Sequence, residues 1–195
     1  MNKKSILIVV VVSIVAIALY FISSYNSIVG LEIDSKTQWS NVETAYQRRA
    51  DLIPNLVNTV KGYAEFEKSV FVEVTEARSK ATSLTISADE LTPENMARFQ
   101  EAQSQLSGSL SRLLATFERY PELKANQNFL ELQAQLEGTE NRIAVERRKF
   151  NNVTGDYNKK VQTFPGAITA KIFGFEEKGT FEAAQGAEEA PKVEF

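Results

Sequence analysis

The chain has 195 residues, a net charge of −3, and neither cysteine nor histidine. It therefore has no disulfides, no thiolate or imidazole metal ligands, and no Ser-His or Cys-His nucleophile pair. Residues 176–195 hold six Glu and two Lys and so carry −4, which leaves the rest near +1 and gives no signature of nucleic-acid binding.

The first predicted element is an apolar segment at residues 5–24. Ser13 is the only small polar residue between positions 6 and 22, and a helix of this length spans about 30 Å, the hydrocarbon thickness of a bilayer. A cleaved signal peptide is the alternative, but its apolar region is usually about 7–15 residues long, and residues 23–27 form only a mediocre cleavage site. The absence of cysteine excludes a lipoprotein. We therefore expect an uncleaved signal anchor.

The charges that flank this segment predict its orientation. Lys3 and Lys4 precede it, whereas only Lys36 lies close on the other side. By the positive-inside rule, the amino terminus is expected in the cytoplasm and the large domain outside it.

Apolar residues at steps of three and four predict a long helix that begins at the membrane. The stripe passes Pro54, where the missing N–H predicts a kink, and it is expected to end near Ala81, at a polar connector over residues 79–91. The stripe consists of Trp39, Val42, Tyr46, Arg49, Ile53, Leu56, Val60, Tyr63, Val70, Val74 and Ala77.

Two further long helices follow, each with a local start signal. Thr92 and Pro93 are typical of an N-cap and a first helical residue, and the second helix is expected to stop at Tyr120, before a proline. Asn126 is the predicted N-cap of the third helix, which Pro165 ends after about 39 residues.

A short fourth helix at residues 166–173 is expected to pack Ile168, Ile172 and Phe173, with Gly174 as its C-cap. The predicted fold class is therefore all-α, with an N-terminal transmembrane helix that continues into an antiparallel bundle of three long helices plus a short fourth helix. The predicted segments are a flank at 1–4, the anchor at 5–24, a helical stalk at 25–38, the bundle domain at 39–175 and an acidic, disordered tail at 176–195.

Two long motifs carry a resemblance to a known family. The first is RRADLIPNLV at residues 48–57, which continues to KGYA at 61–64, and the second is YPELKAN at 120–126, followed by ENRIA at 140–144. Further positions that fit the same pattern are Tyr25, Asn26, Trp39, Phe129, Leu132, Gln133, Tyr157, Asn158 and residues 191–195.

These motifs resemble those of the LemA family of bacterial membrane proteins, and the match covers nearly the whole chain. The resemblance implies a single amino-terminal anchor followed by an antiparallel helical bundle, with no established enzymatic activity. Together with the flanking charges, it predicts a single-pass protein of the bacterial cytoplasmic (inner) membrane whose soluble domain lies outside the cytoplasm.

Charged and polar residues in or beside the apolar stripes are the candidate site. They either lie solvated at the helix flanks or form an interhelical polar cluster that fixes register, because an unpaired buried charge costs several kcal/mol. Counting helical rise brings Tyr120 back level with Asn55. The residues predicted to satisfy backbone groups freed at Pro54 are Asn55, Tyr120, Lys124 and Asn126. The full candidate set is Arg48, Arg49, Asp51, Asn55, Tyr120, Lys124, Asn126, Glu140 and Arg142.

The same counting predicts that residues 31–42 project bare between the bilayer and the bundle. Exposed Ile33, Trp39 and Val42 would then favour self-association. The expected partners are the lipid bilayer and further copies of the chain, with another envelope protein as the alternative.

Two function classes follow. The first is a non-enzymatic, self-assembling structural or scaffold component of the cell envelope. The second is an adaptor that binds another membrane or envelope protein, such as a protease or a signalling receptor. Serines and lysines are plentiful, but nothing marks a catalytic Ser–Lys pair, so no catalytic residue, cofactor or metal site is predicted.

Overall fold

The structure, a computed structural model, describes residues 2–61 and 68–182, with the exception of the Lys124 side chain. All regular elements in these two stretches are α-helices, which confirms the all-α fold class. They are α1 (Lys3–Lys61), α2 (Lys68–Ser83), α3 (Pro93–Phe117), α4 (Pro121–Lys124), α5 (Gln127–Gln162) and α6 (Gly166–Phe173).

Helix α1 has 59 residues and continues without a break from the apolar segment into the folded domain. At the helical rise per residue it is about 88 Å long. It contains the one stretch in the described residues that is long and apolar enough to cross a bilayer. Apart from half-buried Phe21, the large apolar side chains from Ile6 to Ile22 are 39–66% exposed. Such an apolar surface is stable in lipid and unfavourable in water. These features fit a membrane protein.

Helix α2 runs back along α1 rather than continuing it. The Nε of Arg78 donates to the carbonyl of Ala50 at 2.8 Å, and the Trp39 indole N–H donates to the carbonyl of Ile86, just past α2, at 3.1 Å. The expectation of one helix through both segments is therefore wrong. The apolar period is shared by two antiparallel helices that face one core. Tyr63, also on the predicted stripe, lies outside the described residues.

Helix α3 reverses direction again and packs on α2. The side-chain amide of Gln103 donates to the carbonyl of Ala81 at 3.4 Å, and Arg112, further along α3, pairs with Glu73, nearer the start of α2. Residues further along α3 therefore contact residues nearer the start of α2, so the two helices are antiparallel.

Helix α5 runs antiparallel to α1 and completes a bundle of four long helices. The hydroxyls of Ser35 and Thr154 lie 2.8 Å apart, and Arg49 pairs with Glu140 at 2.9 Å. Helices α1 and α3 therefore run away from the apolar segment, and α2 and α5 run back toward it. The bundle has one more helix than predicted because the first stripe belongs to two helices.

The helix termini follow the local signals in the sequence. The Thr92 hydroxyl accepts from the Asn95 N–H at 3.2 Å, and Asn126 Oδ1 accepts from the Phe129 N–H at 3.1 Å. Gly174 follows α6 with φ +75°, a left-handed conformation that glycine adopts readily. All three predicted caps are confirmed.

The core follows the bundle axis in three clusters. The cluster furthest from the apolar segment, which we call the upper core cluster, lies between α1, α2, α3 and the start of α5. The middle cluster surrounds Trp39, and the basal cluster joins Ile28 to Tyr157, Val161 and Ala170. Because α5 reaches down alongside α1, Trp39 and neighbouring apolar residues are covered. The expectation of a bare stalk over residues 31–42 is therefore wrong, although Ile33 is exposed.

After α6 the chain runs along the bundle, away from the apolar segment, without regular secondary structure. Lys178 and Phe181 are buried there. The prediction of a disordered tail from residue 176 onward does not hold for residues 176–182, because the buried Phe181 ring and backbone hydrogen bonds at residues 178, 181 and 182 hold them on the bundle. The remaining residues, 183–195, lie outside the described residues.

Candidate functional site

Three side-chain amides hold the extended residues 175–182, which we call the C-terminal segment. Asn158 accepts from the Lys178 N–H at 2.9 Å and donates to the Lys178 carbonyl at 2.7 Å. Asn151 does the same with Phe181, at 2.9 and 2.8 Å. A carboxamide presents a donor and an acceptor side by side, so each one pairs with a residue's backbone as a facing strand residue would.

The third amide lies on α3, on the other side of the C-terminal segment from α5. Gln100 of α3 accepts from the Glu182 N–H and donates to the Glu182 carbonyl, both at 3.0 Å. We call Gln100, Asn151 and Asn158 the clamp residues. Because two of them lie on α5 and one on α3, they grip the C-terminal segment from both sides of the groove between these helices.

Phe181 fills an aromatic pocket beneath the clamp residues. Its ring centroid lies 5.7 Å from that of Phe150, 6.2 Å from that of Trp39 and 6.3 Å from that of Phe99. The Arg147 guanidinium covers it at 4.5 Å from the ring centroid. Edge-to-face aromatic contacts and a cation over the ring add to the apolar burial, so Phe181 is the anchor of the C-terminal segment.

Lys178 anchors the lower part of the C-terminal segment. Its ammonium lies 3.3 Å from Glu32 Oε1 and 5.3 Å from the centroid of the Tyr157 ring. The Tyr157 hydroxyl donates to the carbonyl of Glu176 at 2.9 Å. Burial, with the charge of Glu32 as a second cause, raises the pKa of Tyr157 to about 12.

Gly179 allows the C-terminal segment to approach the start of α3. Its N–H donates to the carbonyl of Leu91 at 2.7 Å. A Cβ at this position would lie 2.8 Å from both the Pro93 Cα and the Thr92 carbonyl oxygen. Since both of these atoms belong to the backbone, neither can move aside cheaply, and only glycine fits here.

This arrangement is suited to holding an extended polypeptide. The clamp residues contact only backbone groups and so accept many sequences, whereas the pocket around Phe181 selects an aromatic side chain. Among the residues that the structure describes, no group of three or more His, Cys, Asp or Glu side chains could hold a metal ion.

Of the sequence-predicted candidates, the structure brings Arg49 and Glu140 together. Arg49 is 2% exposed, and its Nη1 lies 2.9 Å from Glu140 Oε2 and 2.8 Å from Ser107 Oγ. Its Nη2 donates to Gln103 Oε1 at 2.5 Å. Since Gln103 also reaches the carbonyl of Ala81 on α2, this cluster links all four long helices, between the upper and middle core clusters.

Arg142 belongs to a second cluster around buried Glu146. Its Nε lies 2.8 Å from Glu146 Oε1, and Gln38 of α1 donates to Glu146 Oε2 at 2.7 Å. Burial opposes ionisation of Glu146, but the hydrogen bonds from Gln38 and Lys149 and the charges of Lys149 and Arg142 outweigh it and hold its pKa below the ordinary value.

The other candidates lie apart from these clusters. Arg48 and Asp51 are exposed on α1, where Asp51 accepts from Gln47 in the same helix. Tyr120 is half-buried and packs on the upper core cluster, Asn126 caps α5, and the Lys124 side chain is outside the described residues.

The backbone group freed at Pro54 has a partner that the sequence analysis did not name. A proline at position 54 leaves the carbonyl of Ala50, four residues earlier, without its helical donor. Arg78 of α2 supplies the hydrogen bond at 2.8 Å. Asn55, proposed for that role, is exposed, and its own carbonyl accepts from the Thr59 hydroxyl.

Sequence reasoning missed the clamp residues and Phe181. One signal was present, because Asn151 and Asn158 are seven residues apart and therefore share a face of α5. Gln100 carries no comparable signal, since its partner is 82 residues away in the chain.

Comparison with known proteins identifies the family and several relatives of this chain. The model of the LemA family matches residues 38–195. Two magnetosome proteins of Paramagnetospirillum magneticum, MamQ 1 and MamQ 2, are each 25% identical over 199 aligned positions, which cover 91% of this chain and 72% of theirs. Protein LemA of Metamycoplasma hominis is 25% identical over 75% of this chain and 63% of its own. The chain belongs to the LemA family.

Proposed function

We propose that this protein is a non-enzymatic, membrane-anchored scaffold of the bacterial cell envelope that assembles with copies of itself. In the proposed assembly, the C-terminal segment of one copy occupies the groove between α3 and α5 of the next. The protein crosses the cytoplasmic membrane once, and the bundle stands on the outer side. The observation that carries the proposal is the double-sided grip of the clamp residues on an extended segment of this same chain.

Exchange of this segment between copies costs little, because the same contacts form within one chain or between two. Gly174, in the left-handed conformation, separates α6 from the C-terminal segment, so rotation near one residue redirects the segment. Occupancy within the chain is favoured until neighbours reach an effective concentration of about 1 mM. Anchoring in one membrane brings copies together in a common orientation and so supports exchange.

The relatives support a role at a membrane. Those from Paramagnetospirillum magneticum are described as magnetosome proteins and align with most of this chain. The orientation of the bundle rests on Lys3 and Lys4, which precede the apolar segment.

The proposal is tested by crosslinking between two tagged forms of the full chain in one membrane. The chain has no cysteine, so Glu182→Cys in one form and Ser104→Cys in the other provide the only two thiols. Ser104 lies one turn beyond Gln100, and both side chains line the same cavity as Glu182. A short bismaleimide should join the two tags if segments are exchanged.

The matched control replaces Ser104→Cys with Ser111→Cys, an exposed serine two turns further along α3. It measures random collision in the membrane and should give a much weaker band. A single chain with both Glu182→Cys and Ser104→Cys reports occupancy within one copy. Crosslinking in that chain alone, with none between the tags above the Ser111→Cys level, would overturn the proposed exchange.

A second candidate function is an adaptor for a foreign envelope protein, such as a protease or a signalling receptor. It is favoured by the pocket around Phe181, since backbone-directed clamp residues would also accept another extended segment with one aromatic side chain. A labelled peptide of residues 174–182, added to the full chain in vesicles, tests whether the groove opens to added segments. The same peptide with Phe181→Ala is its control and should bind at least about tenfold more weakly.

A further inference from the structure

Helix α6 presents a bare apolar face. Ile168, Ile172 and Phe173 are 46%, 61% and 52% exposed, and Phe164, in the turn before the helix, is 82% exposed. The prediction that the helix residues pack on the bundle is wrong for Ile168 and Ile172, whereas Phe173 contacts the Tyr25 ring of α1. The buried positions of α6 are Gly166, Thr169 and Ala170, so small residues face the bundle and large apolar residues face away from it.

This face lies beside the point where α1 leaves the predicted membrane span. The ring centroids of Tyr25 and Phe173 are 4.9 Å apart, and Ser24 is only 4% exposed because the protein already covers α1 there. Tyr25 is three residues beyond Ile22, the end of the apolar run, or about 4.5 Å along the helix axis. The end of helix α6 at Phe173 therefore lies next to the first turn of α1 beyond the predicted membrane span.

Basic and aromatic residues accompany the apolar face. Lys171 on α6 and Lys159 in the last turn of α5 are exposed. Lysines at this level can pair with lipid phosphates, while aromatic rings such as Tyr25 and Phe173 are suited to the interface between headgroups and acyl chains. A short helix with large apolar residues on one face and lysines nearby is the pattern of a segment that lies in this interface.

We propose that α6 and Phe164 form a second membrane contact, distinct from the transmembrane anchor. The helix lies in the plane of the interface, and Phe164, Ile168, Ile172 and Phe173 insert among the lipids next to α1. The occupant is the lipid surface rather than a second copy, because Phe173 of this face contacts Tyr25, three residues beyond the apolar segment of α1. Two attachment points fix the tilt of the bundle, which one helix crossing the membrane does not.

The test uses the full chain in vesicles of phosphatidylcholine and phosphatidylglycerol at a ratio of about 3:1. Because the chain lacks cysteine, Ile172→Cys can carry a single environment-sensitive fluorophore at an exposed position. The control is Leu130→Cys, which is 50% exposed near the opposite end of α5. Nitroxide-labelled lipids should quench the probe at residue 172 at least about threefold more than the probe at 130, and iodide should show the reverse order.

Equal quenching of the two probes by nitroxide lipids would overturn the proposal. A probe at residue 172 that is shielded from iodide but insensitive to nitroxide lipids would also overturn it, since protein, such as a second copy, would then cover the face. Phe164→Cys provides an independent probe in the turn before α6 and should behave as residue 172 does. Because both positions are exposed, neither substitution removes a core contact.

Discussion

Arg78 of α2 donates from its Nε to the carbonyl oxygen of Ala50 in α1, at 2.8 Å. That carbonyl lies four residues before Pro54, whose ring nitrogen has no hydrogen to donate. The contact compensates the proline and ties two antiparallel helices together at the same point. It explains how α1 remains helical through Pro54.

We expect Arg78→Met to lower the free energy of unfolding by about 1–3 kcal/mol, because a part-buried carbonyl loses the hydrogen bond from Arg78. Denaturant unfolding of the full chain in detergent micelles measures the change. Arg98→Met, at an exposed position of α3, is the matched control and should change stability by less than about 0.5 kcal/mol. Equal effects of the two substitutions would show that the hydrogen bond does not stabilise the bundle.

Loss of the carboxylate at Glu140 should destabilise the bundle because Arg49 stays buried without its counter-ion. Glu140→Gln is expected to cost about 1–3 kcal/mol, since Gln103 and Ser107 still contact the guanidinium. The control is Glu137→Gln, an exposed residue on α5. In a double-mutant cycle, Arg49→Met combined with Glu140→Gln should cost less than the sum of the two single changes. Simple additivity would contradict a coupled cluster.

The raised pKa of Tyr157 predicts a loss of stability at high pH. Its folded-state pKa is about 12, against an ordinary value of 10.0, because burial disfavours the phenolate. Below pH 10 both states hold the proton. Between pH 10 and 12 the unfolded state releases it first, so the contribution of Tyr157 to stability falls as pH rises through this window.

Tyr157→Phe isolates this contribution. The difference in tyrosinate absorbance between wild type and variant should show one phenol that titrates near pH 12. The difference in unfolding free energy between the two proteins should be constant below pH 10 and should change only above it. A difference spectrum that titrates near pH 10 would contradict the burial of this side chain.

Removing one clamp residue should loosen the C-terminal segment locally. In Asn151→Ala, Phe181 loses both backbone hydrogen bonds to the amide, so exchange of the Phe181 N–H should accelerate by about tenfold or more. The neighbouring Asn152→Ala is the control, because Asn152 is exposed on the same helix. Hydrogen exchange measured on the full chain distinguishes the two. If the Phe181 N–H exchanges at the same rate in the two variants, the Asn151 side chain does not hold the C-terminal segment.

Local signals in the sequence predicted the helix ends correctly. Thr92, Asn126 and Gly174 act within a few residues of themselves, and the bounds of α6 follow from a proline, two glycines and a short apolar run. The reversal between α1 and α2 was missed, because one apolar period describes either a single long helix or two antiparallel helices.

Contacts between residues far apart in the chain could not be predicted from the sequence, for a different reason. Nothing local to Arg78 marks it as the partner of Ala50, and nothing near Phe181 indicates a pocket built from α1, α3 and α5. The acidic composition around Phe181 instead predicted disorder. On α6, an apolar face oriented toward lipid follows the same period as one oriented toward a core, so its direction could not be predicted.

The most direct test of the proposed scaffold is the mass of the protein complex extracted in a patch of its native membrane. One chain contributes 21.8 kDa. For wild type, we predict masses that correspond to several copies, with a shift toward one copy when Asn151→Ala and Asn158→Ala are combined. A wild-type protein that contains one copy at native abundance would contradict self-assembly.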